Sequence, residues 1–387
     1  MDTDRTVRVF TDFYRERGHH LITGGTLVPP PGDPVLFTTS GMHPLTPYLE
    51  GRPHPRGRRL VNVQRCLRTT DLDEVGDSTH LTVFEMLGSW SLGDYGHSRS
   101  LRWGYELLRE GFGIPHDRLH ATVFGGDEQV GPDLDSLRTW EESGVPEELT
   151  GEDNWWSNGP VGPCGPDSEI FVWTGDGPPR GTPTTDPRWL EVWNHVLMRY
   201  RRLDDGSLQP LERPGVDTGM GLERLVTVLQ GHDSVHDSDL FEPWRRLLPW
   251  SLDERSLRLV SDHLRAGVVV IGDGVRPSNT GRGYVLRRLV RRLLTTLRRE
   301  EPSRTLLDLP VELLQHTLDH FRQTCGTGHV QSVLLEEERG FDRLLERGRR
   351  LLSGPRYRGP LSEEDYDYLH DTHGLPRDLV LGLRRQE

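Results

Sequence analysis

The stretch PGVDTGMGLERLVTVLQ, residues 214–230, decides how the chain is read. Gly215, Gly219 and Gly221 are poor helix formers and leave the backbone room for close approach. From Leu222 the spacing turns helical, with Leu222, Leu225, Val226 and Leu229 on one face. Arg224 then falls in the first turn of an apolar helix, where a cation works against the helix dipole. Two readings stand at this point. Either a loop carries a surface Arg that points to solvent, or Arg224 and the helix start face an anion together.

The flanks supply the fold class. Just upstream, EVWNHVLMRYRRL (191–203) is a strand candidate, and with the turn DDGS (204–207) it reads as a hairpin feeding the glycine-rich stretch. LVNVQ (60–64), LTVFEML (81–87), HATVFG (120–125) and EIFVW (169–173) are further strand candidates, while 5–17 and 99–112 have helical spacing. Antiparallel-type strands with flanking helices give an α+β domain rather than a doubly wound sheet. After about 245 the strands stop. Helical patterns follow at 253–272, 283–300, 309–325 and 329–353, separated only by turn signals. The expectation is a mixed domain over 1–245 and an all-helical domain over 246–387.

A chain of 387 residues is long enough for two cores. Its hydrophobic fraction is 33%, and no apolar run approaches the roughly 20 residues that span a bilayer. The N-terminus MDTDRTVRVF lacks a signal peptide's apolar core, so a cytoplasmic location with no membrane partner is expected. Cys66, Cys164 and Cys325 lie far apart and without zinc-ligand spacing, so no zinc is expected. Cys164, in what reads as a GPCGP turn, is expected to fill space. Every one of the 47 basic residues is Arg. A P-loop and a lysine Schiff base are thereby excluded, and any phosphate must be held by Arg and backbone amides. The net charge of −13 argues against a generic nucleic-acid binder, yet a local basic face could still hold RNA.

A second dense region is NVQRCLRTTDLDEVGDSTHLTVFEMLGSWSLGDY, residues 62–95. It reads as a strand ending at Arg68, an acidic loop, and a strand carrying His80, Phe84 and Glu85. Antiparallel pairing would set Arg68 opposite the His80–Phe84 pair, offering a guanidinium for a phosphate and a ring for a base. The ordinary alternative for Phe84 is core packing. In the helical part, VLRRLVRR (285–292) puts Arg288 and Arg292 on one face and Arg287 and Arg291 on another. A solvated helix and an RNA-facing helix both fit that pattern.

An Arg followed by a loop and H-x-x-x-F, then GMGLER at 219–224, resembles the second and third motifs of class II aminoacyl-tRNA synthetases. The finer resemblance is to the alanyl-tRNA synthetases. LVPPPGDPVLFTTSGMHPLTPYLEG, FEMLGSWSLGDY, NWWSNGPVGPCGPDSEIF, EVWNHVLMRYRR, GVDTGMGLERL and PSNTGRGYVLRRLVRR look like that family's blocks in its order. The match runs from about Val7 to Leu383.

The resemblance implies a class II-type antiparallel sheet flanked by helices, followed by a helical domain that binds the tRNA acceptor stem. It implies that Arg68 holds the ATP α-phosphate, Phe84 stacks on adenine and Arg224 caps the nucleotide, with His80, Glu85 and Gly221 completing the ATP set. Asp217 and Gly219 would hold the alanine ammonium, while Asn194 and Trp156 shape the amino-acid pocket. Mg2+ would bridge the ATP phosphates, with Glu191 or Glu169 as candidates for direct contact. Asn279, Arg288, Arg292, Asp371 and, more weakly, Asp378 would touch the acceptor stem, whose minor groove presents a guanine amino donor. Asn279 as a helix cap and Asp371 as a turn residue are the ordinary alternatives.

Two departures stand out. The loop RTTDLDEVG after Arg68 is short and acidic where many family members carry a longer run containing Lys. The chain also stops after HDTHGLPRDLVLGLRRQE, where a full-length enzyme continues into editing and oligomerisation domains. The expectation is a monomeric ATP-dependent alanine–tRNA ligase acting on tRNA(Ala) and L-alanine without editing. The rival is an enzyme that activates a small amino acid for a carrier protein or small-molecule acceptor.

Overall fold

The computed structural model of the chain describes residues 1–33, 35–299 and 301–385, without the side chains of Asp71, Asp378 and Arg385. The acceptor-stem candidacy of Asp378 therefore lies outside the described residues. The chain divides into two compact units, Met1–Pro243 and Trp244–Glu387.

In the first unit α1 (Thr3–Glu16) starts where the Asp2 carboxylate accepts from the Arg5 amide at 2.7 Å. The elements β1 (His20–Leu21), α2 (Thr46–Leu49), β2 (Arg59–Leu67), β3 (Val83–Ser91) and α3 (His97–Glu106) follow. Then come β4 (Leu119–Phe124), α4 (Leu134–Ser143), β5 (Glu147–Thr150), β6 (Trp155–Ser157), β7 (Gly162–Trp173), β8 (Trp189–Arg202), β9 (Leu208–Gly221) and α5 (Leu222–Gln230), and the boundary with the second unit falls within α6 (Glu242–Leu247).

The sheet order is β1-β2-β3-β9-β8-β7-β4-β5, with β6 paired to β7. From β2 to β4 every pairing is antiparallel, but β1 joins β2 and β5 joins β4 in parallel. The sheet is thus mixed, where the resemblance implied antiparallel pairing alone. A helical crossover through α4 returns the chain to the same edge in the same direction, which a hairpin cannot do.

One face of the sheet packs on helices. Val61, Leu87, Met220, Trp193, Ile170 and Val172 project toward Phe10 and Tyr14 of α1, Leu101 of α3 and Leu225 of α5. Since side chains alternate along a strand, the intervening residues emerge on the other face, and there the candidate site lies.

Three local readings are corrected. The glycine-rich stretch is a strand, not a loop, and β9 runs through Gly215 and Gly219 to Gly221. None of these glycines needs a positive φ; two of the sheet's glycines are required by rings and thioethers lying flat. A Cβ on Gly219 would stand 2.6 Å from Met86 Sδ, and one on Gly88 would stand 2.0 Å from the Trp90 indole. The GPCGP segment likewise belongs to β7, where Gly165 lets the Leu197 carbonyl approach, and Cys164 is buried. Finally, the helix expected over 99–112 ends as α3 at Glu106 and widens into a π turn, Leu107–Gly111.

The second unit contains α7 (Glu254–Gly272), α8 (Gly281–Leu297), α9 (Val311–His320), α10 (Thr327–Leu352), α11 (Glu363–His373) and α12 (Arg377–Arg385). HDTHG is not a turn. His370 to His373 form the last turn of α11, which starts at a Ser362–Asp365 capping box and stops at Gly374 with φ 66°. Among the described residues no helix is long and apolar enough to cross a membrane.

Candidate functional site

Strand alternation puts Phe84, Met86, Gly88 and Trp90 of β3 on the open face. Their register partners Gly221, Gly219 and Asp217 of β9 share it, as do Asn194 and Val196 of β8. The strands therefore form a floor with one end near Gly221 and the other near Asp217.

At the Gly221 end, Arg68, Thr79, His80, Phe84, Glu191 and Arg224 surround an open cleft, with Met86, Gly219 and Gly221 beneath. The Arg68 guanidinium lies 5.2 Å from the Phe84 ring centroid. His80 does not belong to β3, as the sequence suggested, but precedes it. Asp77 fixes it, accepting from the His80 amide at 2.8 Å and meeting the ring Nδ1 at 2.5 Å. Partial burial alone would raise the Asp77 carboxyl; the hydrogen bonds from His80 and Thr79 outweigh it and hold it below the ordinary range.

Arg224 does not point to solvent. Its Nη1 donates to the Glu191 carboxylate at 2.8 Å. Glu191 reaches this face because of a bulge: Ile170 pairs with Trp193, but Phe171 pairs with Glu191. The extra residue, Val192, reverses the alternation. Glu85 is set apart from the cleft. It alternates away from Phe84, and its amide donates to the buried Glu223 carboxylate at 3.0 Å.

At the other end the chemistry changes. Asp217 is 7% exposed, and its Oδ1 has no hydrogen-bond partner. Burial pushes its carboxyl up to about 7, an effect only partly offset by the Trp90 indole. Asn194, opposite Gly219, also has an unpartnered amide oxygen. Trp156 of β6 packs against the apolar cluster that contains Trp90, Val196 and Met198.

Between the two ends stands an acidic wall. Burial raises Asp167 to about 7, against the opposing hydrogen bond from Asn154 at 2.7 Å. Glu169, opposite Asn194, is lifted to about 9 by burial and by the charges of Glu191 and Asp167. Among the described residues no group of three or more His, Cys, Asp or Glu side chains converges as a metal cage.

The sequence reading omits Met86, Trp90, Glu223 and Asp167. For Met86 and Trp90 the available signal is period two: in FEMLGSW, residues 84, 86, 88 and 90 share a face.

In the helical unit the four arginines of the VLRRLVRR run of α8 separate. Arg287 and Arg291 both bond the buried Glu337 of α10, at 3.2 and 2.8 Å, and are themselves half-buried. Arg288 is exposed and Arg292 half-buried. Asn279 is exposed, and its Oδ1 accepts from Arg287 Nη1. It is not the helix cap, since Thr280 occupies that position. Asp371 is exposed on α11, with its Oδ1 2.8 Å from the His370 ring.

The chain matches the family described as tRNA synthetases class II (A) over residues 6–387. It is 41% identical to the alanine–tRNA ligase of Treponema pallidum, across 97% of this chain and 67% of that one. Against the alanine–tRNA ligase of Borrelia hermsii the identity is 39%, over 98% and 68% of the two chains. Against that of Rubrobacter xylanophilus it is 40%, over 96% of this chain and 46% of that one. The chain thus spans about half to two thirds of the length of these relatives. Among solved structures, apo histidyl-tRNA synthetase of S. aureus aligns with a TM-score of 0.37 at 11% identity, over 59% of this chain and 66% of that chain.

Proposed function

The chain belongs to the class II (A) tRNA synthetases, and from that premise we propose that it activates L-alanine with ATP and passes the alanyl group to the 3′ end of tRNA(Ala). One observation carries the reading to this chain's own chemistry. Asp217 is a buried carboxylate whose Oδ1 meets no donor, no basic side chain among the described residues pairs with it, and it shares the open face of the sheet with Trp90 and Asn194. A substrate ammonium is the cation such a group lacks.

In the proposed first step an oxygen of the alanine carboxylate attacks the ATP α-phosphorus. The bond to the bridging oxygen breaks, and pyrophosphate leaves. Arg68 stands where it would neutralise the α-phosphate, and Phe84 offers adenine a face. Arg224 would exchange Glu191 for the nucleotide. These groups align reactants and offset charge, and the reaction asks for little else. In the second step a terminal ribose hydroxyl attacks the alanyl carbonyl and AMP departs.

The residues present fit Mg2+, whose preference is for hard oxygen donors. Glu191 or Glu169 would contact it, with ATP phosphates supplying further ligands, and it would offset charge on the departing pyrophosphate. Asn279 and Asp371 are proposed to accept from an acceptor-stem donor, with Arg288 and Arg292 on the phosphate backbone.

The purified protein is expected to exchange labelled pyrophosphate into ATP with alanine and to charge tRNA(Ala). Exchange without charging would point to a non-tRNA acceptor. No exchange with any small amino acid would end the enzyme reading.

A further inference from the structure

The first unit has a second concavity, separate from the cleft and lying beyond the Asp217 end of the floor. Here the middle of β9, at Arg213 and Gly215, passes the end of β3, which runs out into Leu92 and Gly93. It encloses about 260 Å³, and its floor is Leu49, Leu92 and Gly215 beside the half-buried Tyr48. Three arginines rim it: Arg52, Arg58 and Arg213. They come from two separate segments, the 51–58 loop and β9, and the fold brings them together.

The charge pattern is unusual for this chain. It carries a net charge of −13, yet two acids of the neighbouring segments, Glu50 and Asp94, are engaged by other arginines. Glu50 pairs with Arg201, and Asp94 pairs with Arg59 at 2.8 Å. Arg52 instead lies 5.8 Å from the Tyr48 ring centroid, and His54 meets the same ring edge-on at 4.5 Å. Burial and the neighbouring Arg56 push the His54 pKa down.

We propose that this pocket binds the phosphodiester backbone of an RNA strand, as a contact of the catalytic unit in addition to the helical one. Three features select that ligand. Guanidinium forks match phosphate oxygens. All three arginines are exposed, so each contact with a lone small anion would be weak in water, whereas a polymer gathers several and releases counterions at each. The Tyr48–Leu49–Leu92 floor offers a ribose or base an apolar seat between phosphates. The proposal rests on the reading of the chain as a tRNA-charging enzyme.

The test compares wild type with the triple variant Arg52→Ala/Arg58→Ala/Arg213→Ala and with its all-Lys counterpart. RNA affinity is measured by anisotropy of labelled tRNA(Ala) across a salt titration. Each neutralised phosphate adds about 0.7–0.9 to the slope of log K against log salt, so the Ala variant should be shallower by about 2–3. The Lys variant should keep the wild-type slope, and alanine-dependent exchange should be unchanged in both. Wild-type affinity and slope in the Ala variant would overturn the proposal, as would a Lys variant as shallow as the Ala one. Tripolyphosphate is titrated alone as the second arm. If it binds wild type and not the Ala variant while tRNA binding is identical in the two, the pocket takes a free anion and the RNA assignment falls. Normal exchange with an unchanged slope counts against the pocket alone; absent exchange in wild type counts against the catalytic reading.

Discussion

Asp217 in β9 and Glu337 in α10 are both buried carboxylates, 7% and 5% exposed, and they are treated in opposite ways. Glu337 is clamped by Arg287 and Arg291, so its charge is answered from within the chain. Asp217 has an oxygen that meets no donor, and its proton is held up to about pH 7. A buried charge with a built-in partner is architecture. A buried charge without one is where we propose that a ligand supplies the partner, and until then it is kept at a cost in stability.

The sharpest way to break the comparison is Asp217→Asn. Removing the ammonium's partner should cost roughly 3–5 kcal/mol of alanine-dependent exchange, a loss of about 10²–10⁴-fold. The same change should stabilise the fold at pH 8. The Asp217 pKa is raised in the folded state, so its stabilising share is full below the ordinary carboxylate range and vanishes as pH rises through about 7. Above that pH the folded chain holds an unwelcome charge, and Asn relieves up to about 4 kcal/mol of it. A variant that is inactive but also less stable at pH 8 would make Asp217 an ordinary structural acid.

Glu337→Ala should do the reverse. It strands two guanidinium groups in a partly buried place and should cost about 3 kcal/mol in urea unfolding, while exchange at low temperature persists. Loss of exchange in a folded Glu337→Ala protein would erase the distinction between the two acids.

The smallest effect sharpens the first. The ammonium needs the ionised carboxylate, so the alanine KM should climb about tenfold per pH unit below about 7 while kcat stays nearly level. A KM flat from pH 6 to 8 would count against Asp217 as the ammonium's partner.

Periodicity makes much of this legible in the sequence. The helical patterns locate α1, α7, α8 and α10 to within a few residues because each buries a broad stripe. Arg68, Phe84 and Arg224 stand out because a strand end and a helix start fix where they point. What stays hidden depends on distant partners. The glycines of β9 look like a loop until Met86 is seen lying across Gly219. Glu191 faces the cleft only through a one-residue bulge, which no local pattern announces. Arg287 and Arg288 are indistinguishable in VLRRLVRR, and only Glu337, some fifty residues away, turns one of them inward.

The unbroken course of β9 makes it a ruler. From Asp217 to Gly221 the strand advances four residues, about 13 Å at 3.3–3.4 Å each, with graduations fixed by the pleat. What joins the carboxylate to the nucleotide end must match that length, and no hinge lies between to adjust it. The ruler is also intolerant of miscounting. One residue inserted between Thr218 and Met220 would turn Asp217 onto the helix-packed face and its neighbours out of it, while leaving the composition of the site unchanged.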